Sequence, residues 1–375
     1  MPDKHLHIVA HTVPFPADIG GVIDLFYKIK ALHKAGIKIH LHCFTYANRT
    51  EQPELNKYCE KVHYYKRHRN IFSASLRLPF IVSSRKSKEL LSRLQQDNYP
   101  ILFEGIHTTY YLQAGKLKNR KTIVRLHNAE FEYYHRLSLH EHNLLKKVYF
   151  QFESRLLKKY ENKLAKKYFV VAVSEHDVQL YQDLFHAINI QYMPVFLPYS
   201  LAVGKEGKGC YCLYHGNLSV NENEKAAIWL LQNVFTDKTV PFIIAGKDPS
   251  EALRCKINQH NNCCLVANPT EKEMQDIIRK AQINILPSFN NTGVKLKLIN
   301  ALFNGRHCVV NTAGVEGSGL ENACHIAEDK DEFKSAIEQL YQQPFTEEEI
   351  QQRQGILQAL YNNEANAQQL IKWLW

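Results

Sequence analysis

The segment from Ser288 to Gly319 carries residues whose types and spacing could bind an anion. Gly293 precedes a helical pattern of apolar residues, and Lys295 and Lys297 fall in its predicted first turn. The free backbone N–H groups and the dipole of a helix favour a negative ligand at such a turn. Two lysines there oppose the dipole, and they make sense if a strongly anionic ligand such as a diphosphate docks on them. A solvated first turn beside an ordinary α/β connection is the alternative.

Glycines mark the ends of several predicted elements. Gly305 is predicted to end the helix above in the left-handed conformation that glycine favours. Gly20 and Gly21 close a loop before the first helix, where glycine lets the backbone approach a ligand closely. Gly216, with Asn217, occupies the matching place in the second half of the chain. A tight turn into a helix is the structural alternative for the glycine pair.

Two polar residues end predicted strands in the first half. His127 follows the strand TIVRL, and Glu104 ends the strand ILFE. Because ligands bind outside the carboxyl ends of parallel strands, both side chains would point into a crevice. The chain has 19 histidines, so a histidine at a strand end also occurs by chance. A surface carboxylate that pairs with a basic residue is the alternative for Glu104.

The elements that position these residues alternate between strands and helices along both halves, which indicates α/β structure with parallel sheets. A segment rich in proline and glycine, from Pro194 to Gly209, separates the halves. A long helix is predicted from His142 to Lys167, with a stripe that faces the core. The stripe consists of Val148, Phe152, Leu156, Tyr160 and Leu164.

Composition narrows the cellular context. The chain has 375 residues, a formal charge of +10 and nine cysteines without a C-x-x-C pair, which fits a reducing cytosol. No apolar run approaches the roughly 20 residues that span a bilayer, and no signal peptide is evident. Residues 1–195 hold 30 basic and 17 acidic side chains, a formal charge of +13, whereas the remainder carries −3. The first half is therefore expected to meet an anionic partner, and without nucleic-acid-binding motifs an anionic membrane surface ranks above nucleic acid.

Several segments, taken in order, resemble retaining glycosyltransferases of the GT-B fold, of the bacterial group 1 type. The similarity extends from about His7 to Leu340. The segments that carry it are PFPADIGGVIDLFYKIKALHKAGIKIHLHCF, RLHNAEFEYYHRL, VAVSEHDVQLY, LYHGNLSVNENEKAAIWLL, FIIAGKDP and GVKLKLINALFNG with the following valine strand and GVEG. The resemblance implies two Rossmann-like, doubly wound parallel-sheet domains that face each other across a cleft. The acceptor-side domain would span 1–197, with a C-terminal helix at about 347–375 packed back on it, and the nucleotide-sugar-binding domain would span 198–346.

The resemblance also implies roles for individual residues. His127 would contact the donor sugar near its reacting carbon, and Glu104 would hold an acceptor hydroxyl or orient His127. Gly20 and Gly21 would form the acceptor-side loop. The donor would contact a larger set in the second domain: Gly216, Asn217, Ser288, Thr292, Gly293, Lys295, Lys297, Asn300 and Glu316.

This chain departs from the family pattern at four of its positions. Asn217 and Asn223 stand near the usual arginine and lysine, so Lys295 and Lys297 would replace these cations at the diphosphate. Thr292 and Asn300 stand where many relatives have glutamates. Thr292 contacts the sugar or only caps the helix. Asn300 still offers hydrogen bonds to a ribose, and Glu316 is a second candidate for that contact.

The resulting hypothesis is a cytoplasmic enzyme of polysaccharide biosynthesis, peripheral on the inner face of the membrane. It would move a hexose from a nucleoside-diphosphate sugar to a carbohydrate or lipid-linked acceptor, with no metal and no cofactor. Two alternatives stay open: a non-catalytic sugar- or lipid-binding scaffold of the same fold, and a nucleotide-sugar isomerase.

Overall fold

The computed structural model describes residues 3–18, 20–46, 49–68, 75–141, 143–236, 240–289 and 293–375. The chain divides into two compact units. The amino-terminal unit comprises residues 1–198 and 361–375, and the carboxy-terminal unit comprises residues 199–360. Each unit is built around a parallel sheet, so the prediction of two Rossmann-like domains is confirmed.

The amino-terminal unit contains a seven-stranded parallel sheet among its described residues, with the order β3-β2-β1-β4-β5-β6-β7. The strand order reverses between β1 and β4, which is where open α/β sheets bind ligands beyond the carboxyl ends of the strands. Ala10, Glu104 and Arg125 lie side by side in register at that point. The strands are β1 His5–Ala10, β2 Lys38–Thr45, β3 Lys61–Lys66, β4 Ile101–Glu104, β5 Thr122–Leu126, β6 Phe169–Ala172 and β7 Ile190–Tyr192.

Helices cover both faces of this sheet, which explains why its central strands are almost entirely apolar. One core lies between the sheet and the first helix, and the other lies beneath the long sixth helix. The helices are α1 Gly20–Lys34, α2 Phe80–Ser83, α3 Lys88–Leu94, α4 Tyr110–Gln113, α5 Glu130–His140, α6 Leu144–Ala165 and α7 Glu175–Phe185.

The stripe predicted to face the core on α6 is wrong in its first half. Val148 is 63% exposed and Phe152 is 39% exposed, whereas Tyr160 and Leu164 are buried. Residues four apart are offset by about 40° around a helix, so a five-residue series at this spacing turns through roughly 160°. The buried face instead includes Leu157 and two carboxylates.

The carboxy-terminal unit contains a six-stranded parallel sheet among its described residues, with the order β10-β9-β8-β11-β12-β13. Its order reverses between β8 and β11, which is the position where open α/β sheets bind ligands. The strands are β8 Cys212–Asn217, β9 Phe242–Lys247, β10 Cys263–Ala267, β11 Ile283–Ile285, β12 His307–Val310 and β13 His325–Ile326. The helices are α8 Asn221–Asn233, α9 Glu251–Ile257, α10 Glu271–Lys280, α11 Leu296–Asn304, α12 Thr312–Val315, α13 Lys330–Gln342 and α14 Glu347–Leu360.

The predicted C-terminal helix is two helices. α14 belongs to the carboxy-terminal unit, and only α15, Asn363–Leu374, belongs to the amino-terminal unit. α15 packs against α1 and buries Leu370 and Leu374. The Asn363 side chain joins the two segments of this unit, because it accepts from Leu197 N at 3.1 Å and donates to Leu197 O at 2.7 Å. A search of the described helices for one with the length and apolar character needed to cross a bilayer finds no candidate.

The first residue of α11 and the backbone conformation after its last residue both differ from the prediction. The helix begins at Leu296 rather than directly after Gly293, and Lys295 is its N-cap. Gly305 follows the helix with φ −101° and ψ −179°, so the left-handed end predicted for it is wrong. A glycine is needed there for space, because a Cβ would lie 2.8 Å from the carbonyl oxygen of Ala301.

Candidate functional site

The carboxyl edge of the amino-terminal sheet brings His127 and Glu104 together, as their positions at strand ends predict. His127 Nε2 lies 3.1 Å from Glu104 Oε2, and the Glu104 side chain is fully buried. Gly21, in the first turn of α1, lies against the imidazole, since a Cβ on it would be 3.5 Å from His127 Nδ1. Gly20 is the exposed first residue of α1. Gly21, Glu104 and His127 therefore form one site.

Three further charged residues complete this cluster, and none of them was predicted from the sequence. Lys28 Nζ donates to Asp24 Oδ2 at 2.9 Å and to Glu104 Oε1 at 2.8 Å. Arg125 lies beside Asp24, with a shortest separation of 3.3 Å, and donates to the carbonyls of Met193 and Pro194. Asp24, Lys28 and Arg125 are at most 1% exposed. Asp24 and Lys28 are four apart on α1, and this spacing alone is typical of a surface pair.

The cluster balances its own charge. Burial would raise the pKa of Asp24, but Arg125 and Lys28 outweigh burial and lower it. Burial acts in the same direction on the pKa of Glu104, and Lys28 with the His127 hydrogen bond lowers it. Both acids are therefore carboxylates opposite two cations. An ionised carboxylate only accepts hydrogen bonds, so the Nε2 nitrogen of His127 carries the proton that it donates to Glu104.

Two more histidines surround the His127 ring. The His11 ring centroid lies 5.2 Å from that of His107 and 5.7 Å from that of His127. Burial lowers the pKa of both His11 and His107, so each is a neutral imidazole. Among the described residues, their buried Nδ1 atoms have no hydrogen-bond partner. Both residues follow strands, β1 and β4, so the criterion that selected His127 could have found them.

Glu130 begins α5, three residues after His127, within the HNAE segment. It is 8% exposed. Burial raises its pKa to about 7, against the opposing effect of Arg85 and with a smaller contribution from Asp177. Arg85 is itself buried and donates to the backbone carbonyls of His11 and Ile81. Glu130 is therefore a carboxyl that gains and loses its proton near neutral pH.

The carboxy-terminal unit positions Lys297 beyond the end of β8. Lys297 Nζ donates to Asn223 Oδ1 at 3.0 Å and to the Tyr214 hydroxyl at 3.2 Å, and it lies 4.8 Å from the Tyr214 ring centroid. Burial lowers its pKa to about 8, with a further contribution from Lys295. Burial and Lys297 lower the pKa of His215 to about 3. The charge of the nearby Glu222 carboxylate raises the pKa of Lys297 and only partly offsets burial.

Asn217 and Gly216 lie beside Asn223, at the end of β8. Asn217 Oδ1 accepts from the amide and the hydroxyl of Ser219, and Asn217 O accepts from Asn223 Nδ2 at 2.9 Å. Gly216 lies against the Asn223 side chain, since a Cβ on it would be 3.5 Å from Asn223 Nδ2. Lys297 therefore reaches the turn after β8, where the family resemblance predicts cations that this chain lacks.

The other predicted donor contacts are placed as follows. Gly293 has φ +64°, and Thr292 lies outside the described residues. Ser288 follows β11, and its amide donates to Asn311 Oδ1 at 2.9 Å. The side-chain oxygen of Asn300 accepts from Asn304 Nδ2 at 2.8 Å. Glu316 directly follows α12. The hydrogen bonds given above join Asn217 and Lys297 through Asn223, and they do not bring Asn300 or Glu316 to that group.

Comparisons with known proteins agree with this geometry. Residues 209–343 match the family model for glycosyl transferases group 1. An uncharacterised 44.6 kDa protein in the cps region of Klebsiella pneumoniae is 27% identical in an alignment of 345 positions that covers 87% of each chain.

Solved structures show the fold. Sucrose-phosphate synthase from Thermosynechococcus elongatus matches with a TM-score of 0.69 at 14% identity, over 98% of both chains. A TarM mutant from S. aureus, in complex with UDP, fondaparinux and alpha-GlcNAc-glycerol, matches with a TM-score of 0.67 at 12% identity, over 99% of both chains. The predicted resemblance to GT-B glycosyltransferases is therefore confirmed, because residues 209–343 match the model for glycosyl transferases group 1 within a chain that has the GT-B fold.

Proposed function

We propose that this protein transfers a hexose from a nucleoside-diphosphate sugar to a carbohydrate or lipid-linked acceptor, with retention of configuration. The observation that carries the proposal is Lys297, a buried cation whose hydrogen-bond partners are the neutral oxygens of Tyr214 and Asn223. The group 1 family match over the same unit supports a nucleotide-sugar as the donor.

Lys297 is assigned to the donor diphosphate. A buried ammonium group loses hydration, which is why burial lowers its pKa. A diphosphate oxygen would restore a full counter-charge and form a charge-assisted hydrogen bond. In the transition state the diphosphate departs with growing negative charge, so a preorganised cation there stabilises the leaving group. Lys295, the N-cap of the same helix, contributes a second positive charge beside it. Charge neutralisation thus rests on lysines and requires no metal.

His127 is assigned to the sugar. Glu104 fixes the imidazole by accepting from Nε2, and Gly21 leaves room for the ring beside α1. A ring fixed in this way orients a sugar hydroxyl and stabilises charge that develops at the reacting carbon. Retention is proposed from the family resemblance, and the anomeric configuration of the product, measured by NMR spectroscopy, tests it.

A transfer assay tests the main proposal. UDP is the first nucleotide to use, because the similar TarM structure is a complex with UDP. A thermal-shift screen of UDP, GDP and their sugars should show a rise in melting temperature with one base. Incubation of that sugar donor with candidate oligosaccharide and lipid-linked acceptors should then yield a glycosylated product. Donor binding without any product would favour the scaffold alternative, and a rearranged nucleotide-sugar would favour the isomerase.

The acceptor is proposed to lie at an anionic membrane, and helix α6 provides the surface. Its first half exposes a cluster of large apolar side chains, with Leu144 77% and Leu145 83% exposed. Val148, Tyr149 and Phe152 belong to the same cluster. The same side of the helix continues with three exposed basic residues, Arg155, Lys159 and Lys163, and the exposed Lys166 and Lys167 directly follow the helix. Exposed apolar side chains that insert and basic side chains that contact anionic headgroups both contribute to the binding of helices at a membrane surface.

Vesicle sedimentation tests the membrane surface. Binding to anionic vesicles should exceed binding to neutral ones and weaken with salt, because each lysine contributes only about 1 kcal/mol near the surface. The double substitution Leu144→Gln and Leu145→Gln should reduce binding. The matched control is Ile188→Gln, which changes an 89% exposed apolar residue elsewhere in the same unit. Equal loss in the control, or equal binding to neutral vesicles, would remove the membrane from the proposal.

A further inference from the structure

A second cluster of histidines and a carboxylate lies in the carboxy-terminal unit, away from the residues assigned to the donor. It consists of His307 at the start of β12, His325 at the start of β13 and Glu349 in the first turn of α14. One side-chain donor atom from each residue lies within 4.8 Å of the other two. His325 and Glu349 line a cavity of about 120 Å³. His307 is fully buried beside them.

The hydrogen bonds of His307 determine where its lone pair points. Nε2 lies 3.1 Å from the carbonyl oxygen of Gln343, and a carbonyl only accepts, so Nε2 carries the proton. In the neutral ring the Nδ1 lone pair then faces Glu349 Oε1 at 3.7 Å. Nδ1 is buried and has no hydrogen-bond partner among the described residues. Two electron-rich atoms therefore face each other across a short gap.

We propose that His307 Nδ1, a ring nitrogen of His325 and the Glu349 carboxylate bind one divalent transition metal ion, of the zinc class. Tetrahedral zinc with bonds of about 2.0–2.1 Å places its ligand atoms roughly 3.4 Å apart, close to the separation of Nδ1 and Oε1. The Gln343 carbonyl supplies the outer hydrogen bond that metal-bound histidines usually donate. Two imidazoles and one carboxylate suit zinc, copper or nickel better than magnesium or calcium.

Arg353 also lines this cavity, and its positive charge opposes the binding of a metal cation there. Its guanidinium is held at other partners, because Nη1 donates to the carbonyls of Gly305 and Arg306 and the group stacks on Phe345 at 4.5 Å. Arg306 is the second nearby cation, and it donates to backbone carbonyls as well. Both charges lower affinity for a metal without occupying the space between His307 and Glu349.

The cluster of Asp24, Glu104 and His127 has similar donor atoms, but it has no unoccupied space for a metal ion between them. There Lys28 hydrogen-bonds to both carboxylates, so an ammonium group already occupies the position that a metal would take. The zinc-class site goes beyond the proposed sugar transfer. It would tie the edge strand β13 and helix α14 to β12, which stabilises the unit without touching the donor.

Metal binding can be measured on the full chain after removal of any affinity tag. Protein treated with a chelator should take up one equivalent of Zn²⁺ in equilibrium dialysis with elemental analysis, and its melting temperature should rise. Co²⁺ should give the visible absorption of a tetrahedral complex. The substitutions His325→Ala and Glu349→Gln should each weaken Zn²⁺ binding at least 10-fold and abolish the rise in melting temperature.

Two controls keep this test decisive. His260→Ala changes a partly exposed histidine of the same unit, and it should bind Zn²⁺ as the parent does. Nucleotide binding by all variants reports whether the unit is folded and is expected to be unchanged. Less than one equivalent of Zn²⁺ in the parent, or equal Zn²⁺ binding by His325→Ala and the parent, would overturn the inference while leaving the proposed glycosyl transfer intact.

Discussion

The two units differ in the partners that they provide for buried charged side chains. Around His127 each buried ion has an opposite partner inside the protein, with Lys28 between Asp24 and Glu104. Around Lys297 the buried cation has only the neutral oxygens of Tyr214 and Asn223 as hydrogen-bond partners among the described residues. In the first arrangement every buried ion has a hydrogen-bonded counter-ion. At Lys297 the charge of Glu222 offsets burial only partly, so a bound anion would supply the missing hydrogen-bonded counter-ion.

This difference separates positioning from binding. A balanced cluster holds its imidazole in one orientation and costs little to maintain, but it offers a ligand no net charge. A buried lysine without a hydrogen-bonded counter-ion destabilises the free protein. An anion that binds there removes this destabilisation, which increases its affinity. Substitutions in the amino-terminal cluster should therefore affect stability and turnover, whereas substitutions at Lys297 should affect donor affinity.

The largest expected effect is the loss of balance in the first cluster. Asp24→Ala leaves Lys28 and Arg125 partly uncompensated in the interior, which should lower the free energy of unfolding by about 3–5 kcal/mol. Urea denaturation, followed by a probe in the amino-terminal unit, measures it. The exposed Asp183→Ala is the control and should change stability by less than about 0.5 kcal/mol. Similar values for the two variants would show that the network is not a balanced buried cluster.

The second expected effect concerns turnover. His127→Ala should lower kcat about 10²–10³-fold while the Kd for the nucleoside diphosphate changes little, since its contact is made mainly in the transition state. Steady-state kinetics and calorimetry on the same preparation separate the two quantities. An equal loss of donor affinity would show that His127 binds the ground state. The distinction between a positioning cluster around His127 and a binding cation at Lys297 would then be wrong.

Glu130 is a buried carboxyl of the same unit whose charge is not balanced. Burial outweighs the opposing effect of Arg85 and raises the pKa of Glu130 to about 7. Between the ordinary value of 4.5 and about 7, the folded protein holds a proton that the unfolded chain releases. Stability should therefore fall as pH rises through this window, by up to about 3 kcal/mol. Glu130→Gln should make that slope shallower, and the raised pKa values of Glu161 and Asp177 should account for the remainder. An unchanged slope, measured by urea denaturation from pH 4.5 to 8, would assign the pH dependence to another group.

The smallest expected effect is at the donor. Lys297→Met should weaken UDP or GDP binding roughly 10- to 100-fold, which corresponds to about 1.5–3 kcal/mol, without loss of stability. The matched control is Lys272→Met, an exposed lysine in the first turn of α10.

The pH dependence of binding gives a separate check on Lys297. Because its pKa is about 8 in the free protein, affinity for the diphosphate should fall as pH rises from 7.5 to 9.5. Calorimetry on the parent and on Lys297→Met should show this slope only in the parent. A slope retained in the variant would show that Lys297 is not the titrating cation.

Chain order and strand ends predicted much of the fold and part of the site. His127, Glu104 and Gly21 were found because the ends of parallel strands and the following helix start converge at one edge. Asp24 and Lys28 were missed because a pair four residues apart on an amphipathic helix is usually solvent-exposed, and only the tertiary structure reveals their burial. The stripe on α6 and the end of α11 were wrong for a similar reason. Periodicity gives the helix, but the orientation of its faces depends on neighbours distant in sequence.

The return of α15 to the amino-terminal unit affects how the protein is made. Ala367, Leu370 and Leu374 complete the core beside α1, yet they leave the ribosome after all of residues 199–360. At synthesis rates of about 5–20 residues per second, the apolar surface beside α1 stays uncovered for roughly 10–30 s. During that time the nascent chain presents an incomplete first domain, which is open to aggregation or to chaperone binding. Packing of the first domain therefore finishes last, although most of its sequence is translated first.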